Sequence, residues 1–146
     1  MIYLVHHADA LGPDVDPQRP LSAEGRDHAE RLAGDAAARG VKPVVIWHSG
    51  KLRARQTAEP FWRLCNPLAE FAAIRGLQPT DPPEWTRDLI VRDARDVMLV
   101  GHMPSLPAIH ALLLGPRAAL AGSFPPHGLV AIAADGDGWH ERWRLT

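Results

Sequence analysis

The sequence IYLVHHADA at residues 2–10 combines a run of four apolar residues with two adjacent histidines. A short apolar run bounded by polar residues is typical of a buried strand, and open α/β sheets bind ligands just beyond the carboxyl ends of their strands. His6 and His7 occupy that position. Because side chains alternate along a strand, we expect the two imidazoles to start toward opposite faces, so at most one points into a given pocket.

Two more apolar strands are predicted further along the chain, at Val44–Trp47 and Val97–Val100. The first ends at His48-Ser49-Gly50 and the second at Gly101-His102. Each strand then turns toward a helix, as parallel strands do when they deliver their loops to one edge of a sheet. The sequence therefore predicts that these polar residues meet at the edge where His6 and His7 lie.

The helices are predicted from apolar spacing and end signals. The first runs over about Ala23–Arg39, with Ser22 as its N-cap and Gly40 as its stop. A later helix covers about Glu84–Ala94 and is expected to bury one apolar stripe. That stripe consists of Trp85, Leu89 and Ile90. A further helix begins at Pro104 and Ser105 and ends near Leu114.

The chain ends with a predicted hairpin, in which strands at Leu129–Ala133 and Trp139–Leu145 flank two Asp-Gly pairs. A short strand is also predicted at Phe71–Ile74. The predicted fold class is α/β: a three-layer α/β/α sandwich with a mixed, mostly parallel sheet of five or six strands. One or two antiparallel edge strands finish the sheet, and residues 1–146 are expected to form a single domain.

A basic segment follows the second strand, with Lys51, Arg53 and Arg55 in the first turn and a half of a predicted helix. Cations are locally unfavourable at a helix start, whereas the positive end of the dipole and unpaired N–H groups favour a bound anion. The segment is either an anion site or a solvated basic face. Since Arg53 and Arg55 diverge by about 200° around the helix, only one can face a shared pocket.

The composition argues against several classes of protein. Sixteen Lys and Arg balance seventeen Asp and Glu, so the basic footprint of a nucleic-acid-binding protein is missing. No stretch approaches the roughly 20 apolar residues of a membrane helix. The single cysteine, Cys65, cannot form an internal disulfide, and the N-terminus lacks a secretory signal pattern. We therefore expect a cytoplasmic protein with no nucleic-acid or membrane partner.

Four segments carry a family resemblance: His6-His7-Ala8-Asp9-Ala10, Arg19-Pro20-Leu21-Ser22 with Gly25, Ser49 to Ala58, and Val100-Gly101-His102-Met103-Pro104. In that order they resemble the histidine phosphatase superfamily, also called phosphoglycerate mutase-like, and most closely its small SixA-type phosphohistidine phosphatases. Each segment alone is a weak signal, but four segments in the right order at the right elements are a strong one. The resemblance spans about residues 1–145, and 146 residues leave no room for the lid domain of larger members.

The resemblance implies a phosphatase that works through a phosphohistidine enzyme intermediate. We expect no metal or other cofactor, because histidine and arginine already supply the nucleophile and the charge stabilisation. His7 matches the nucleophile, Arg53 the phosphate-binding arginine and His102 the second catalytic histidine. Ser49 offers a further phosphate contact. Asp9 could hold the loop by accepting backbone N–H bonds, or it could only cap a turn. The implied substrate is protein phosphohistidine, with another phosphorylated protein or a small phosphate ester left open.

The sequence departs from the family pattern in two places. His6 stands where the family has an arginine, so at most one pH-dependent charge replaces a permanent bidentate cation in the predicted phosphate site. Weaker phosphate binding and reduced activity are expected. The acid that protonates the leaving group in larger members has no match, and the nearest candidates are Asp81 and Glu84. Phosphohistidine needs less help, because its leaving nitrogen can be protonated before departure.

Two other functions stay open. One is a phosphoryl-binding protein of the same fold with low activity. The other is a metal-dependent hydrolase, for which residues of a suitable type are present. Those residues are His6, His7, His48, His102 and Asp9. Adjacent strand residues do not aim both rings at one point, which counts against the metal site.

Overall fold

Six strands form one mixed sheet in the computed structural model, which describes all of residues 1–146. They are β1 (Ile2–His6), β2 (Val45–His48), β3 (Glu70–Ala73), β4 (Val97–Gly101), β5 (Leu129–Asp135) and β6 (Gly138–Leu145). The order is β3-β2-β4-β1-β5-β6. The first four strands in this order run parallel, whereas β5 is antiparallel to β1 and β6 to β5. The predicted mixed, mostly parallel sheet is confirmed.

The α-helices are α1 (Ala23–Ala38), α2 (Leu52–Cys65), α3 (Pro83–Val91), α4 (Ser105–Leu114) and the short α5 (Ala118–Ala121). The predicted helices α1 and α4 begin and end close to their predicted positions, whereas α3 ends three residues early and α5 was not predicted. Ser22 caps α1 as predicted, since its hydroxyl accepts the Gly25 N–H at 2.9 Å. None of the helices has the length and apolar character required to cross a bilayer.

The side chains of the central strands alternate between two apolar clusters, one on each face of the sheet. From β1, Ile2 and Leu4 join the cluster that packs against α3 and α4, whereas Tyr3 and Val5 join the cluster that packs against α1 and α2. A strand covered on both faces needs apolar residues at every position, which explains the continuous apolar run. The predicted three-layer α/β/α arrangement is confirmed.

The buried face of α3 differs from the prediction. Trp85 and Leu89 are 59% and 42% exposed, whereas Thr86 and Ile90 are each 1% exposed. Thr86 tolerates burial because its hydroxyl donates to the carbonyl oxygen of Gly76 at 2.7 Å. The two pairs have the same helical spacing, so the period alone could not select the face. Only Ile90 of the predicted stripe was right.

Gly25 allows the first turn of α1 to pack directly onto the loop after β1. A Cβ at this position would clash with the backbone oxygen of Asp9 and lie 2.9 Å from its carbonyl carbon. We therefore expect Gly25→Ala to lower the free energy of unfolding by about 1–3 kcal/mol, because overpacking against backbone forces a displacement. Chemical denaturation measures this change.

Gly34→Ala, in the same helix, is the matched control. A Cβ at Gly34 would meet nothing within 4 Å. The added methyl should therefore raise the free energy of unfolding by about 0.5–1 kcal/mol through helix propensity alone. Two variants that change stability in the same direction would contradict the close approach of α1 to the loop.

Candidate active site

The carboxyl ends of β1, β2 and β4 meet at one edge of the sheet and bring the predicted residues together. His7 follows β1, Ser49 follows β2 and His102 follows β4, while Arg53 comes from the first turn of α2. The ring centroids of His7 and His102 are 4.9 Å apart. Residues from four separate segments of the chain therefore share one site, at the edge where α/β sheets bind ligands.

His7 is held with one ring nitrogen unprotonated. Its Nδ1 lies 2.7 Å from the carbonyl oxygen of Ala8, and because a carbonyl can only accept, Nδ1 carries the proton. Nε2 keeps its lone pair and accepts from Nε of Arg53 at 3.3 Å. Burial lowers the pKa of His7 to about 4. The hydrogen bond to Ala8 acts in the opposite direction, and the charge of Arg53 lowers the pKa further. Near neutral pH the ring is uncharged and nucleophilic.

The first turn of α2 directs one arginine toward the site and the other away from it, as predicted. Arg53 contacts His7, whereas Nε of Arg55 pairs with Oε1 of Glu59 at 3.0 Å on the exposed face. Thr57 fixes the helix against the loop after β1. Its hydroxyl accepts the N–H of residue 8 at 3.0 Å and donates to the carbonyl oxygen of Arg53 at 2.8 Å.

His102 is buried and anchored by Ser49. Its Nε2 lies 2.7 Å from the Ser49 hydroxyl oxygen, which also accepts the Lys51 N–H at 3.3 Å. Nδ1 of His102 is buried without a hydrogen-bond partner. Burial, followed by the charges of His7 and Arg53, lowers the pKa of His102 to about 3. Because an unpartnered buried polar atom costs free energy, Nδ1 is a natural contact for a ligand.

His6 and His7 lie side by side, which corrects the expectation that the two rings diverge. Their centroids are 4.6 Å apart. β1 ends at His6, so the alternation of a strand no longer governs His7. Nδ1 of His6 accepts the N–H of His127 at 2.9 Å. Burial, followed by the charges of His7 and His127, lowers the pKa of His6 to about 3, so the expected pH-dependent charge is missing near neutral pH.

Asp9 binds a hydroxyl rather than the backbone N–H groups predicted as one alternative. Its Oδ2 accepts from the Ser22 hydroxyl at 2.6 Å, and its carbonyl oxygen accepts the Ser22 N–H at 3.1 Å. Since Ser22 is also the N-cap of α1, Asp9 ties the loop after β1 to the start of that helix. The carboxylate thereby supports the loop that carries His7.

His127 belongs to the same cluster, although no sequence motif indicated it. Its ring stacks on His6, with centroids 4.9 Å apart and planes 6° apart. Its Nδ1 lies 2.6 Å from the carbonyl oxygen of His7. The residues before β5 reach this edge because β5 runs antiparallel to β1. That pairing, deduced from the predicted hairpin, is the signal that could have placed His127 in the site.

The metal ligands suggested by the sequence do not converge as a set. His48 is occupied elsewhere, since its Nδ1 accepts the Gly50 N–H at 3.0 Å. One ring nitrogen from each of His6, His7 and His127 lies within 4.8 Å of the others. However, Nδ1 of His6 accepts a backbone N–H, which leaves the proton of the neutral ring on Nε2. His6 therefore has no free lone pair to offer a metal ion.

A cleft with a volume of about 510 Å³ opens beside Ser49. Asp81, one of the two candidate acids, lines this cleft. Its Oδ2 already accepts the N–H groups of Gly76 and Gln78, each at 2.9 Å, so the carboxylate supports the loop over 76–81. Glu84, the other candidate, is exposed in the first turn of α3. The contacts of Asp81 and the exposure of Glu84 therefore identify neither carboxyl group as a proton donor.

Comparisons with known proteins point to one family and one fold. A family model described as histidine phosphatase superfamily (branch 1) matches residues 2–86. A structure assigned as the phosphohistidine phosphatase SixA of Agrobacterium tumefaciens superposes with a TM-score of 0.82 at 29% identity, covering 99% of this chain and 96% of that chain. The protein histidine phosphatase SixA complexed with tungstate also gives 0.82, at 21% identity and with the same coverage. No curated protein matches the sequence at a significant level.

Proposed function

Because this chain belongs to the histidine phosphatase superfamily, we propose that it hydrolyses protein phosphohistidine through a phosphoryl intermediate on His7. Membership of the superfamily indicates a phosphatase, and the substrate and the intermediate are the proposal. One observation carries it: the Ala8 carbonyl fixes the proton of His7 on Nδ1, so that Nε2 presents its lone pair beside Arg53. A neutral imidazole beside a guanidinium has the form that attack on a phosphoryl group requires.

The reaction then has two steps. Nε2 of His7 attacks phosphorus in line, and the bond from phosphorus to the substrate nitrogen breaks as the leaving imidazole, already protonated, takes the electron pair. A water molecule next attacks phosphorus, the bond to Nε2 breaks, and inorganic phosphate leaves while a proton passes to solvent. His7 returns to its neutral form. The chain supplies nucleophile and charge stabilisation itself, so we propose that turnover needs no metal.

Arg53 and His102 are proposed to bind the phosphoryl oxygens. The guanidinium of Arg53 supplies a permanent charge and a planar fork of donors. When the Ser49 hydroxyl donates to Nε2 of His102, the proton of the neutral ring is on Nδ1, the buried atom without a partner. A phosphoryl oxygen would satisfy that donor. Ser49 then acts by positioning His102, because its hydroxyl is already engaged.

The choice of phosphohistidine rests on the leaving group. An ester releases an alkoxide, which needs a proton donor, whereas the nitrogen of phosphohistidine can be protonated before it leaves. Asp81 is engaged with backbone N–H groups and Glu84 is exposed, so neither favours ester hydrolysis. We propose that the cleft beside Ser49 holds the residue that carries the phosphoryl group.

A phosphoryl-binding protein with little turnover is the second candidate function, and the state of His6 favours it. Burial and neighbouring charges lower the pKa of His6 to about 3, so the ring adds no charge near neutral pH. Less positive charge then faces the oxygens at the moment of transfer than a second guanidinium would supply. Binding would suffer less than catalysis if the transition state carries more charge on these oxygens.

A quenched single-turnover experiment on the wild-type protein tests the function. A protein phosphorylated on histidine is mixed with excess enzyme, in the presence of a chelator, and the enzyme is analysed by mass spectrometry. We expect one phosphoryl group on the peptide that contains His7, followed by release of inorganic phosphate. Release that depends on added zinc would support the metal-dependent alternative, and binding without release would support the phosphoryl-binding protein.

A further inference from the structure

The loop before β5 places a fourth imidazole in the site, that of His127. One ring nitrogen from each of His6, His7 and His127 lies within 4.8 Å of the others. We propose that His127 is a catalytic residue, whose Nε2 contacts the phosphoryl group and supplies a positive charge in addition to that of Arg53. This inference rests on the proposed function, because it assigns a further contact to the same site.

The hydrogen bonds of His127 determine which nitrogen is available. Nδ1 lies 2.6 Å from the carbonyl oxygen of His7, and because a carbonyl can only accept, Nδ1 carries a proton. Nε2 is therefore the nitrogen that gains or loses the second proton. The carbonyl oxygen of His127 accepts from Nε2 of His28 at 2.9 Å, which fixes the loop against α1. The ring is held in place while Nε2 stays free.

The stack of His6 on His127 presents two ring edges to the same region. The backbone N–H of His127 donates to Nδ1 of His6, so the proton of neutral His6 is on Nε2. The two rings are nearly parallel, at 6° and 4.9 Å. A phosphoryl group on His7 would thus meet the N–H of His6 and, once protonated, the N–H of His127. This arrangement of donors suits an anion, whereas a metal ion needs lone pairs.

The charges around His127 explain why the anion matters for this role. The groups that face it are His6 at the end of β1, His7 just after that strand, and His28 from α1. Burial keeps His6 and His7 neutral near pH 7. A phosphoryl dianion adds negative charge a few ångströms away, and an opposite charge at that distance favours the protonated imidazole.

His127→Asn tests this assignment with little disturbance of the loop. His127 has a φ of 53°, a left-handed conformation that asparagine tolerates well. The amide NH₂ of asparagine can replace the Nδ1 donor to the His7 carbonyl, and the backbone N–H to His6 is unchanged by any substitution. Only the Nε2 group is lost. His140→Asn, on β6 beside Asp135 and Asp137, is the matched control.

Tungstate serves as the probe, because binding of this oxyanion does not require turnover. Isothermal titration of wild-type protein in two buffers of different ionisation enthalpy gives both the affinity and the number of protons taken up. We expect His127→Asn to weaken tungstate binding by about ten- to a hundredfold, the effect of one lost charge-assisted hydrogen bond. Proton uptake should fall as well, and His140→Asn should change neither quantity.

The outcomes separate this inference from the proposed function. Equal tungstate affinity, or equal proton uptake, in wild-type and His127→Asn protein overturns the role of His127, even if phosphohistidine hydrolysis is observed. Weaker binding and lower uptake in a wild-type protein that never hydrolyses phosphohistidine support His127 as an anion ligand and reject the proposed function. A wild-type protein that does not bind tungstate overturns the inference.

Discussion

Replacing His7 with alanine is expected to reduce phosphohistidine hydrolysis to the uncatalysed background, a loss of at least about 10⁴-fold. The reason is that the substitution removes Nε2, the unprotonated ring nitrogen that faces Arg53. Water must then attack the substrate directly, without a covalent intermediate. Steady-state release of inorganic phosphate from a histidine-phosphorylated protein measures the effect.

The same variant should still fold and bind tungstate. His7 follows β1, and its backbone bonds to the Gly101 carbonyl and the His127 ring do not involve its side chain. Arg53 and His102 also stay in place. His48→Asn, at the end of β2, keeps an acceptor for the Gly50 N–H and should retain activity within about twofold. Appreciable turnover by His7→Ala would refute the covalent mechanism.

The elements that bring the site together were predictable from the sequence because their signals are local. β1, β2 and β4 are apolar runs that stop at polar residues, and Ser22 is an N-cap where one was predicted. The order of four short motifs then indicated the family, and the family model over residues 2–86 confirms it. Signals of this kind depend only on the spacing of residues along the chain, and folding does not change that spacing.

The errors arise where contacts between distant segments decide the geometry. Thr86 rather than Trp85 is buried because the carbonyl of Gly76 provides an acceptor, which α3 alone does not reveal. His6 is neutral because burial, followed by the charges of His7 and His127, lowers its pKa, and His127 comes from a distant part of the chain. His127 itself is separated from His7 by 120 positions. Neither the composition nor the periodicity of the sequence indicates these contacts.

Replacing His6 with arginine is expected to raise kcat/KM for phosphohistidine hydrolysis by about ten- to a hundredfold, if each gained charged bond contributes about 1.5–3 kcal/mol. In the proposed site neutral His6 would direct one uncharged N–H at the phosphoryl group, whereas a guanidinium would direct two charge-assisted bonds. His6→Lys is the matched control. It supplies the charge without the planar fork, so it should gain less than His6→Arg.

The pH dependence of this gain shows whether the His6 ring is uncharged or partly charged in the free enzyme. kcat/KM reports the protonation of the free enzyme, and burial lowers the pKa of His6 in that state to about 3. Lowering the pH from about 8 to about 6 should therefore not charge His6, and the ratio of His6→Arg to wild-type kcat/KM should stay constant. A ratio that shrinks toward pH 6 would show that His6 titrates in this range. A His6→Arg variant that is no faster than wild type at any pH would show instead that the neutral imidazole, paired with the His127 N–H, is the form the site requires.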